Sequence, residues 1–394
     1  MQVVQLFRPS VVSMTLPRDQ TEHQPLGIGV IGCGGFGLFA LQQFVQVPGV
    51  HLAAMAATDR PAAQAAAKRY GLDDLVEVDR LLASPAVDLV YIATPPFLHY
   101  AQSKAALEAG KHVICEKPLA LTVEQADELV ALAQRRDLLL VANLMQRYNP
   151  LYDLVGQVID RRPLGEFLHG YFENYASDEN LPPTHWFWDA QRSGGIFVEH
   201  GVHFFDMLAG WLGAGEVASA HSSRRFDGCE DQVQCTVRYG GALVNFYHGF
   251  HQPGRMDRQE LRLVFERGDL LLQGWVPTNI RITALVDEAQ SRELSELFGG
   301  ARIDVEASYS RRDREFYSHG RQHDAYQRIE LHWQGLEKMP LYCELLRRMM
   351  SDQVAWIRDR SHVRKVDEHN GRDSVALACE ANALAHSEIH RVTI

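Results

Sequence analysis

The first 150 residues alternate short apolar runs with segments of helical periodicity. The opening run, Leu26–Ile31, is apolar, and the pattern after it predicts an amphipathic helix over Leu38–Val45. Further strands and helices are predicted at His51–Ala57, Pro61–Tyr70, Val87–Ala93, Tyr100–Ala109, His112–Cys115, Val123–Arg135 and Leu138–Ala142. Strands that alternate with helices build a parallel sheet covered by helices. We therefore predict an α/β fold that begins with a Rossmann-type, doubly wound domain over residues 26–150.

Beyond Pro150 the pattern changes to a helix, Leu151–Ile159, followed mainly by strands. Predicted strands lie at Phe167–Tyr175, Val217–Ser222, Gln232–Tyr239, Ala242–Phe250, Glu260–Glu266 and Asp269–Gly274. Glycine-containing turns separate several of them, as in an antiparallel sheet. We predict an α+β domain over residues 151–394 with a large, mostly antiparallel open sheet, which binds substrate and joins subunits.

Two segments show neither the helical nor the strand periodicity clearly. Residues 286–339 are polar and charge-mixed, and we interpret them as an irregular insertion in the second domain. Residues 1–25 precede the first apolar strand, and we expect them to form a flexible N-terminal tail.

Composition narrows the class of protein. A chain of 394 residues is too long for one ordinary core, which agrees with two domains. The net charge of −11, with no lysine- and arginine-rich tract, argues against a nucleic-acid partner. No apolar stretch reaches the roughly 20 residues that span a bilayer. The six cysteines are scattered without metal or redox spacing, which favours the reduced cytoplasm. We expect small-molecule partners and a homodimer or homotetramer formed through the C-terminal sheet.

A glycine-rich run follows the first predicted strand. In the run Gly32-Cys33-Gly34-Gly35-Phe36-Gly37, the first glycine permits a tight turn and the second lets the backbone approach a pyrophosphate. The third lets the following helix pack against the strand, so that its N-terminal N–H groups can receive phosphate oxygens. A glycine turn without a nucleotide is the alternative, and the flanking strand and helix favour the dinucleotide.

The second motif has two parts, each of which follows a predicted parallel strand. Thr94-Pro95-Pro96 comes after Val87–Ala93, and Cys115-Glu116-Lys117-Pro118 ends the next strand at the same sheet edge. Ligands of doubly wound folds bind at this edge. The Lys117 ammonium could therefore hydrogen-bond a substrate hydroxyl and stabilise a developing alkoxide. The spacing alone equally allows a solvated lysine beside a strand-ending proline.

A third motif runs from Ser193 to Leu208. As a helix it places Glu199, His203 and Asp206 on one polar stripe, with Gly201 leaving room for a ligand. Because histidine titrates near neutrality, His203 could accept a hydroxyl proton while hydride leaves the same carbon. A core histidine is the alternative for His203. His200 points to another helix face and is interpreted as structural.

Together the motifs resemble the Gfo/Idh/MocA family of NAD(P)-dependent oxidoreductases, whose members act on sugars, polyols and inositols. The likeness runs from Leu26 to the C-terminus and rests on Ile92-Ala-Thr-Pro-Pro with His99, Gly110-Lys-His-Val-Ile-Cys-Glu-Lys-Pro and Gly194-Gly-x-x-x-Glu-x-Gly-x-His-x-x-Asp. The resemblance implies that Lys117 binds the substrate hydroxyl and that His203 is the general base. Glu199 stands where the family usually has aspartate, which keeps the charge and moves it by about one methylene.

The ribose-binding position is a second departure from the family. The acid expected there falls on Ala57, and Thr58, Asp59 and Arg60 follow. If Asp59 takes the ribose hydroxyls the cofactor is NAD, whereas Thr58 and Arg60 could hold the 2′-phosphate of NADP. We favour NAD over NADP. The full set of residues expected to bind the cofactor is Gly32, Cys33, Gly34, Gly35, Phe36, Gly37, Thr58, Asp59, Arg60, Thr94, Pro95, His99, Glu116 and Lys117.

Aromatic residues precede the third motif. Trp186 and Trp188 could form a sugar-facing wall, since flat rings pack on the C–H face of a sugar, or could belong to the core. His248 and His251 could bind a metal with Glu199 or His203, but no short ligand pair supports this, and we expect no metal.

The leading hypothesis is a dehydrogenase or reductase that transfers hydride between a nicotinamide and a secondary alcohol of a sugar, polyol or inositol-like substrate. The expected catalytic residues are Lys117, His203 and Glu199, and the expected substrate contacts are Lys117, Trp186, Trp188, Glu199 and His203. One alternative is a glycoside-processing enzyme with tightly bound NAD that oxidises a sugar transiently. The other is a non-catalytic NAD(P)-binding regulator, against which Lys117 and His203 argue.

Overall fold

The structure is a computed structural model that describes residues 24–58 and 60–387, without the side chains of Arg60 and Ala62. The predicted N-terminal tail lies almost wholly outside the described residues. Asp59 lies outside them as well.

The N-terminal domain contains a five-stranded parallel sheet in the order β2-β1-β3-β4-β5. Its strands are β1 (Leu26–Ile31), β2 (Val50–Ala56), β3 (Leu89–Ile92), β4 (His112–Cys115) and β5 (Leu140–Ala142). Its helices are α1 (Gly35–Phe44), α2 (Arg60–Arg69), α3 (Val78–Ala83), α4 (His99–Glu108) and α5 (Val123–Arg136). The chain turns from β2 back to β3 on the other side of β1, so the strand order reverses beside the carboxyl end of β1. Doubly wound sheets bind ligands in the crevice at such a point.

The second domain contains a nine-stranded sheet in the order β13-β16-β12-β11-β10-β6-β9-β8-β7. Its strands are β6 (Phe167–Tyr175), β7 (Gly215–Arg224), β8 (Glu230–Tyr239), β9 (Ala242–Gly249), β10 (Arg258–Phe265), β11 (Gly268–Gln273), β12 (Asn279–Val286), β13 (Arg302–Ser308) and β16 (Gln327–Gln334). Strands β6 and β9 pair in parallel, and the other neighbouring pairs are antiparallel. The predicted fold class is confirmed for both domains.

From residue 150 to residue 387, the α-helices are α6 (Pro150–Arg161), α7 (Ala190–Ser193), α8 (Val202–Leu212), α9 (Glu288–Leu297), α10 (Lys338–Arg358) and α11 (Glu368–Ala385). Side chains of α8 and α11 pack in the core of the large sheet. Helix α11 begins with a capping box in which the Asp367 carboxylate and the Asn370 amide satisfy each other's backbone N–H groups.

The interpretation of residues 286–339 as an irregular insertion is wrong. This segment forms α9, two strands of the large sheet and a separate hairpin of β14 (Glu315–Ser318) and β15 (Arg321–Asp324). The apolar signal is weak because β13 is an edge strand with mostly exposed side chains. In β16 only Ile329 and Leu331 are buried, so the strand's alternation of apolar and polar residues rests on these two positions.

Helix α10 departs from the predicted division into domains. Its buried face belongs to the core of the N-terminal sheet, to which it contributes Leu341, Leu345, Leu346, Met349 and Met350. The chain therefore crosses back to the first domain after the large sheet. This return brings the start of α10 to the carboxyl ends of the parallel strands.

Candidate functional site

The glycine run between β1 and α1 is closely packed on one side and open on the other. Gly32 has a φ of +92°, and a Cβ there would meet the Ala93 carbonyl oxygen at 2.6 Å. A Cβ at Gly37 would lie 2.7 Å from the Gly32 carbonyl oxygen. At Gly34, by contrast, no atom of the described residues lies within 4 Å of an added Cβ. The glycines thus allow β1, α1 and the end of β3 to meet while leaving an open cradle.

Helix α1 begins at this cradle with no acidic residue in its first turn. The N–H groups of a first helical turn lack partners within the helix, and the helix dipole adds positive potential there. Gly35 also leaves its surroundings open. The loop therefore has the features of a phosphate-binding site.

A cavity of about 720 Å³ extends from the glycine loop to the second domain. All six residues of the glycine run line it, together with Thr58, Thr94, Pro95 and Glu116. From the other end it is lined by Lys117, Trp186, Glu199 and His203. The structure thus brings three separate motifs of the sequence to one space.

Lys117 and Glu199 form an ion pair across the two domains. The Lys117 Nζ donates to Glu199 Oε1 at 2.7 Å and to the Glu199 carbonyl oxygen at 2.8 Å. Both side chains are mostly buried, with exposed fractions of 19% and 13%. Lys117 follows β4, and Glu199 lies in one turn of π-helix over Phe197–Gly201 that leads into α8.

His203 lies near the start of α8, one turn after Glu199, and is buried. Burial lowers the pKa of His203 well below its usual range, and the nearby Lys117 charge lowers it further. The imidazole is therefore neutral and able to accept a proton. Within the described part of the chain, the buried Nδ1 has no hydrogen-bond partner.

The third member of the predicted polar stripe does not join Glu199 and His203. The Asp206 carboxylate is buried against Arg147, which donates to its two oxygens at 2.7 and 2.8 Å. Asn370 donates to the same carboxylate at 3.2 Å. Asp206 therefore ties α8 to the segment that links the domains.

Glu116 accepts hydrogen bonds at Oε1 from the Tyr91 hydroxyl, at 2.6 Å, and from Asn143 Nδ2, at 2.8 Å. Burial raises the pKa of Glu116, although these donors and Lys117 oppose the shift. Tyr91 on β3 and Asn143 directly after β5 hold the carboxyl group in the cavity wall.

His99 lies behind this wall. Its ring nitrogens are 2.6 Å from the Pro118 carbonyl oxygen and 2.7 Å from the Thr94 carbonyl oxygen. The side chain is buried and joins the turns that follow β3 and β4. His99 thus holds in place the backbone that carries Thr94 and Lys117.

Ala57 and Thr58, at the predicted ribose end, line the cavity, and Val76, Glu77 and Val78 line it as well. Asp59 and the side chain of Arg60 are outside the described part of the structure. Discrimination between the two cofactors by these residues therefore stays a prediction.

The two tryptophans that were predicted to form a sugar-facing wall lie in different surroundings. Trp186 lines the cavity, whereas Trp188 packs edge-on against Phe187 and beneath the Arg225 guanidinium, beside a different pocket. Trp188 therefore belongs to the packing of its loop.

The histidines considered for a metal site have other neighbours. The His200 and His248 Nδ1 atoms are 2.9 Å apart, and His251 lies near Tyr175 and Tyr247. Among the described residues, no group of three or more His, Cys, Asp or Glu side chains is arranged to hold a metal ion.

Several cavity residues were missed by the sequence analysis. Trp275 follows β11 and Tyr342 belongs to α10, so both reach the cavity only through tertiary packing. Asn143 directly follows β5, and the rule that ligands bind at the carboxyl ends of parallel strands would have indicated it.

The fold and site define a two-domain protein of the dinucleotide-binding, oxidoreductase type. Residues 26–144 match the family model described as "Oxidoreductase family, NAD-binding Rossmann fold", and residues 152–271 match the "GFO/IDH/MocA C-terminal domain". The chain belongs to the Gfo/Idh/MocA family.

Among curated relatives, an uncharacterised oxidoreductase of Synechocystis sp. is 34% identical over 213 residues, 52% of this chain and 56% of that one. A dTDP-3,4-didehydro-2,6-dideoxy-alpha-D-glucose 3-reductase of Saccharopolyspora spinosa is 32% identical over 182 residues, 46% of this chain and 54% of that one. A 1,5-anhydro-D-fructose reductase of Ensifer adhaerens is 31% identical over 236 residues, 56% of this chain and 68% of that one. The chain spans about half the length of the first two of these relatives.

Solved structures show the same fold. Levoglucosan dehydrogenase in complex with NADH and levoglucosan has a TM-score of 0.71 at 19% identity, covering 92% of this chain and 97% of that one. Biliverdin reductase from Synechocystis in complex with biliverdin and NADP+ has a TM-score of 0.68 at 18% identity, covering 92% of this chain and 100% of that one. Within the described residues, no helix combines the length and apolar character that crossing a membrane requires.

Proposed function

We propose that this protein is an NAD(P)-dependent oxidoreductase acting on a secondary alcohol, or the matching ketone, of a sugar, polyol or inositol-like substrate. The observation that carries the proposal is the convergence of Lys117, from the first domain, and His203, from the second, on one cavity that begins at a phosphate-type helix N-terminus. The curated relatives named as reductases of sugar derivatives support the substrate class.

The cavity fits a dinucleotide at its N-terminal end. The open cradle at Gly34 and Gly35 would hold the pyrophosphate on backbone N–H groups at the start of α1. Thr58 lines the ribose end, and Thr94, Pro95 and Glu116 line the way to Lys117. When bound there, the nicotinamide supplies the acceptor or donor of hydride.

Lys117 would bind the oxygen of the reacting carbon. Its ammonium group is a charge-assisted donor that can stabilise negative charge on that oxygen in the transition state. Glu199 accepts two of the three ammonium protons through its carboxylate and its carbonyl oxygen, which leaves one proton for the substrate. Glu199 thereby fixes the direction in which Lys117 donates.

His203 would act as the general base for alcohol oxidation and the general acid for ketone reduction. Its Nδ1 is the buried nitrogen, so Nε2 is the atom left to exchange a proton with the substrate oxygen. Burial and Lys117 keep the ring neutral, so its nitrogen lone pair is free to accept a proton. In reduction, the ring would first have to take up a proton, which its lowered pKa disfavours near neutral pH, and would then pass that proton to the substrate oxygen.

The cofactor preference and the assembly are further parts of the proposal. We infer that NAD is preferred because Asp59 follows the ribose position, where its charge would repel a 2′-phosphate. We also infer a homodimer or homotetramer formed through the nine-stranded sheet, which sedimentation velocity would test. A monomer at micromolar concentration would contradict that assembly.

The proposal is tested by measuring NADH and NADPH binding by calorimetry and following nicotinamide absorbance with candidate sugars and polyols. We expect dinucleotide binding and net conversion of free cofactor. Tightly retained NAD with no net release of NADH would instead indicate the glycoside-processing alternative. Binding without any turnover would indicate a regulator.

A further inference from the structure

We propose that Trp275 is the platform on which the substrate ring packs, so that this site selects polyhydroxylated six-membered rings over open-chain polyols. The inference rests on the proposed function and names the substrate class more closely. It concerns a residue outside both matched family segments, 26–144 and 152–271.

Trp275 occupies the part of the cavity where the reacting carbon must lie. Its ring is perpendicular to the His203 imidazole, with centroids 5.0 Å apart, and it lines the cavity together with Lys117. A carbon held between Lys117 and His203 is therefore within reach of the indole. Aromatic faces offer large, rigid apolar contacts that suit the C–H face of a saturated ring.

The turn that carries Trp275 is fixed by the segment that links the domains. Gln146 Nε2 donates to the Trp275 carbonyl oxygen at 2.5 Å, and Asn149 Nδ2 donates to the Pro277 carbonyl oxygen at 3.0 Å. A side chain on a turn held at two points loses little freedom when a ligand binds. Trp275 is therefore preorganised as a contact surface.

Tyr342 supports the indole from α10. The Trp275 side chain lies close enough to the Tyr342 hydroxyl to lower its pKa, and the Tyr342 ring packs edge-on against Phe39 at 5.2 Å. Burial raises the pKa of Tyr342 to about 12, so its hydroxyl stays neutral.

A flat platform discriminates by shape. A six-membered ring with equatorial hydroxyls presents a continuous C–H face, whereas an open-chain hexitol must lose several rotatable bonds to present one. Fixing those bonds costs affinity, so the ring is favoured even when both molecules offer the same hydroxyl to Lys117. Trp186, also in the cavity wall, adds to the apolar enclosure.

The test compares ring and open-chain probes in the wild-type protein and in variants. The ring probes are myo-inositol and D-glucose, and the open-chain probes are D-sorbitol and D-mannitol, each followed with NAD and NADP. We expect turnover of at least one ring probe and at least about tenfold lower kcat/KM for both hexitols. Equal turnover of a hexitol, or no reaction of any ring probe, would overturn the proposal.

Variants separate a platform from a residue that acts through His203. W275A should raise KM for the ring probe about 10–100-fold, and W275F should recover part of the loss. Y342F, which removes only the hydroxyl group beside the indole, should raise KM about 2–10-fold. W356F, on the outer end of α10, and Y317F, on the exposed hairpin, are the matched controls. Thermal melting identifies any variant that fails to fold.

The affinity for NADH distinguishes a failure of the Trp275 platform from a failure of the proposed function. If W275A binds NADH as the wild type does but loses affinity for rings, the platform is supported. A loss confined to kcat, with a displaced pH profile, would show that Trp275 acts only by positioning His203 and would overturn it. Absence of dinucleotide binding in the wild type would instead count against the proposed function.

Discussion

Lys117 Nζ lies 2.7 Å from Glu199 Oε1, so the ammonium group of the first domain is held by a carboxylate of the second. The glutamate side chain reaches the lysine, and the main-chain carbonyl oxygen of the same residue accepts a second hydrogen bond from it at 2.8 Å. The departure from the usual family residue at position 199 is thus part of how this site positions its lysine.

Shortening Glu199 should misplace Lys117. E199D withdraws the carboxylate by about one methylene, and a displacement of about 1 Å in a catalytic group can cost about 10²-fold in rate. We expect kcat to fall by about that factor while the Kd for NADH changes little. E216D, an exposed glutamate on β7, is the control. Full activity in E199D would show that Lys117 does not need this partner.

Removing the His203 imidazole should slow turnover about 10²–10⁴-fold, the usual contribution of a general base. The exposed His319 provides the control variant H319A. Stopped-flow measurement of NADH formation, with cofactor affinity measured separately, checks the prediction. Near-normal turnover in H203A would assign His203 a structural role.

The pH profile should reflect the lowered pKa of His203. Because burial and Lys117 disfavour the charged imidazole, the base stays neutral as the pH falls through its usual value of about 6.5. The decline in the rate of alcohol oxidation should therefore begin below pH 6.5, and H203A should lack that limb. A limb centred at or above 6.5 that disappears in H203A would contradict the lowered pKa.

A side chain at Gly34 should block the dinucleotide without harming the fold. G34V projects its methyl groups into the open cradle, where the Cβ meets no described atom within 4 Å. We expect a severe loss of NADH affinity by calorimetry and a melting temperature close to wild type. G241V, at another unobstructed glycine in the β8–β9 turn, is the matched control. Unchanged affinity in folded G34V would remove the glycine loop from the binding site.

The ribose end offers a test of cofactor preference. We expect the wild type to bind NAD more tightly than NADP, and A57D to increase that preference by about tenfold or about 1.4 kcal/mol, because a carboxylate there would repel the 2′-phosphate. Titration of both oxidised cofactors decides the matter. Tighter binding of NADP by the wild type would favour Thr58 and Arg60 as ribose contacts.

The sequence predicted the helices and strands in which many buried residues produce a clear hydrophobic periodicity. β4 and β6 were predicted with the observed bounds, and the motifs at the carboxyl strand ends led to Lys117, Glu116 and Thr94. Neighbouring parallel strands end at the same edge of the sheet, so a motif that follows one strand can be placed beside the motif that follows its neighbour.

The elements that the sequence missed depend on tertiary packing. The edge strand β13 has little buried surface to produce a pattern, and the short helix α3 contributes only Leu81 and Leu82 to the core. Trp275 and Tyr342 meet only because α10 returns to the first domain. The π-turn over Phe197–Gly201, which leads into α8, was likewise not predicted from the sequence.

The central claim is that Lys117 and His203 act on one hydroxyl, and a double-variant cycle tests it most directly. The measurement is kcat/KM for the same ring probe in K117A, H203A and the combined variant, each shown to fold and to bind NADH. Residues that act as one unit lose their effect together, so the combined variant should be within a few-fold of the poorer single variant. Losses that multiply would show that the two side chains serve separate steps or separate groups, and would contradict the account.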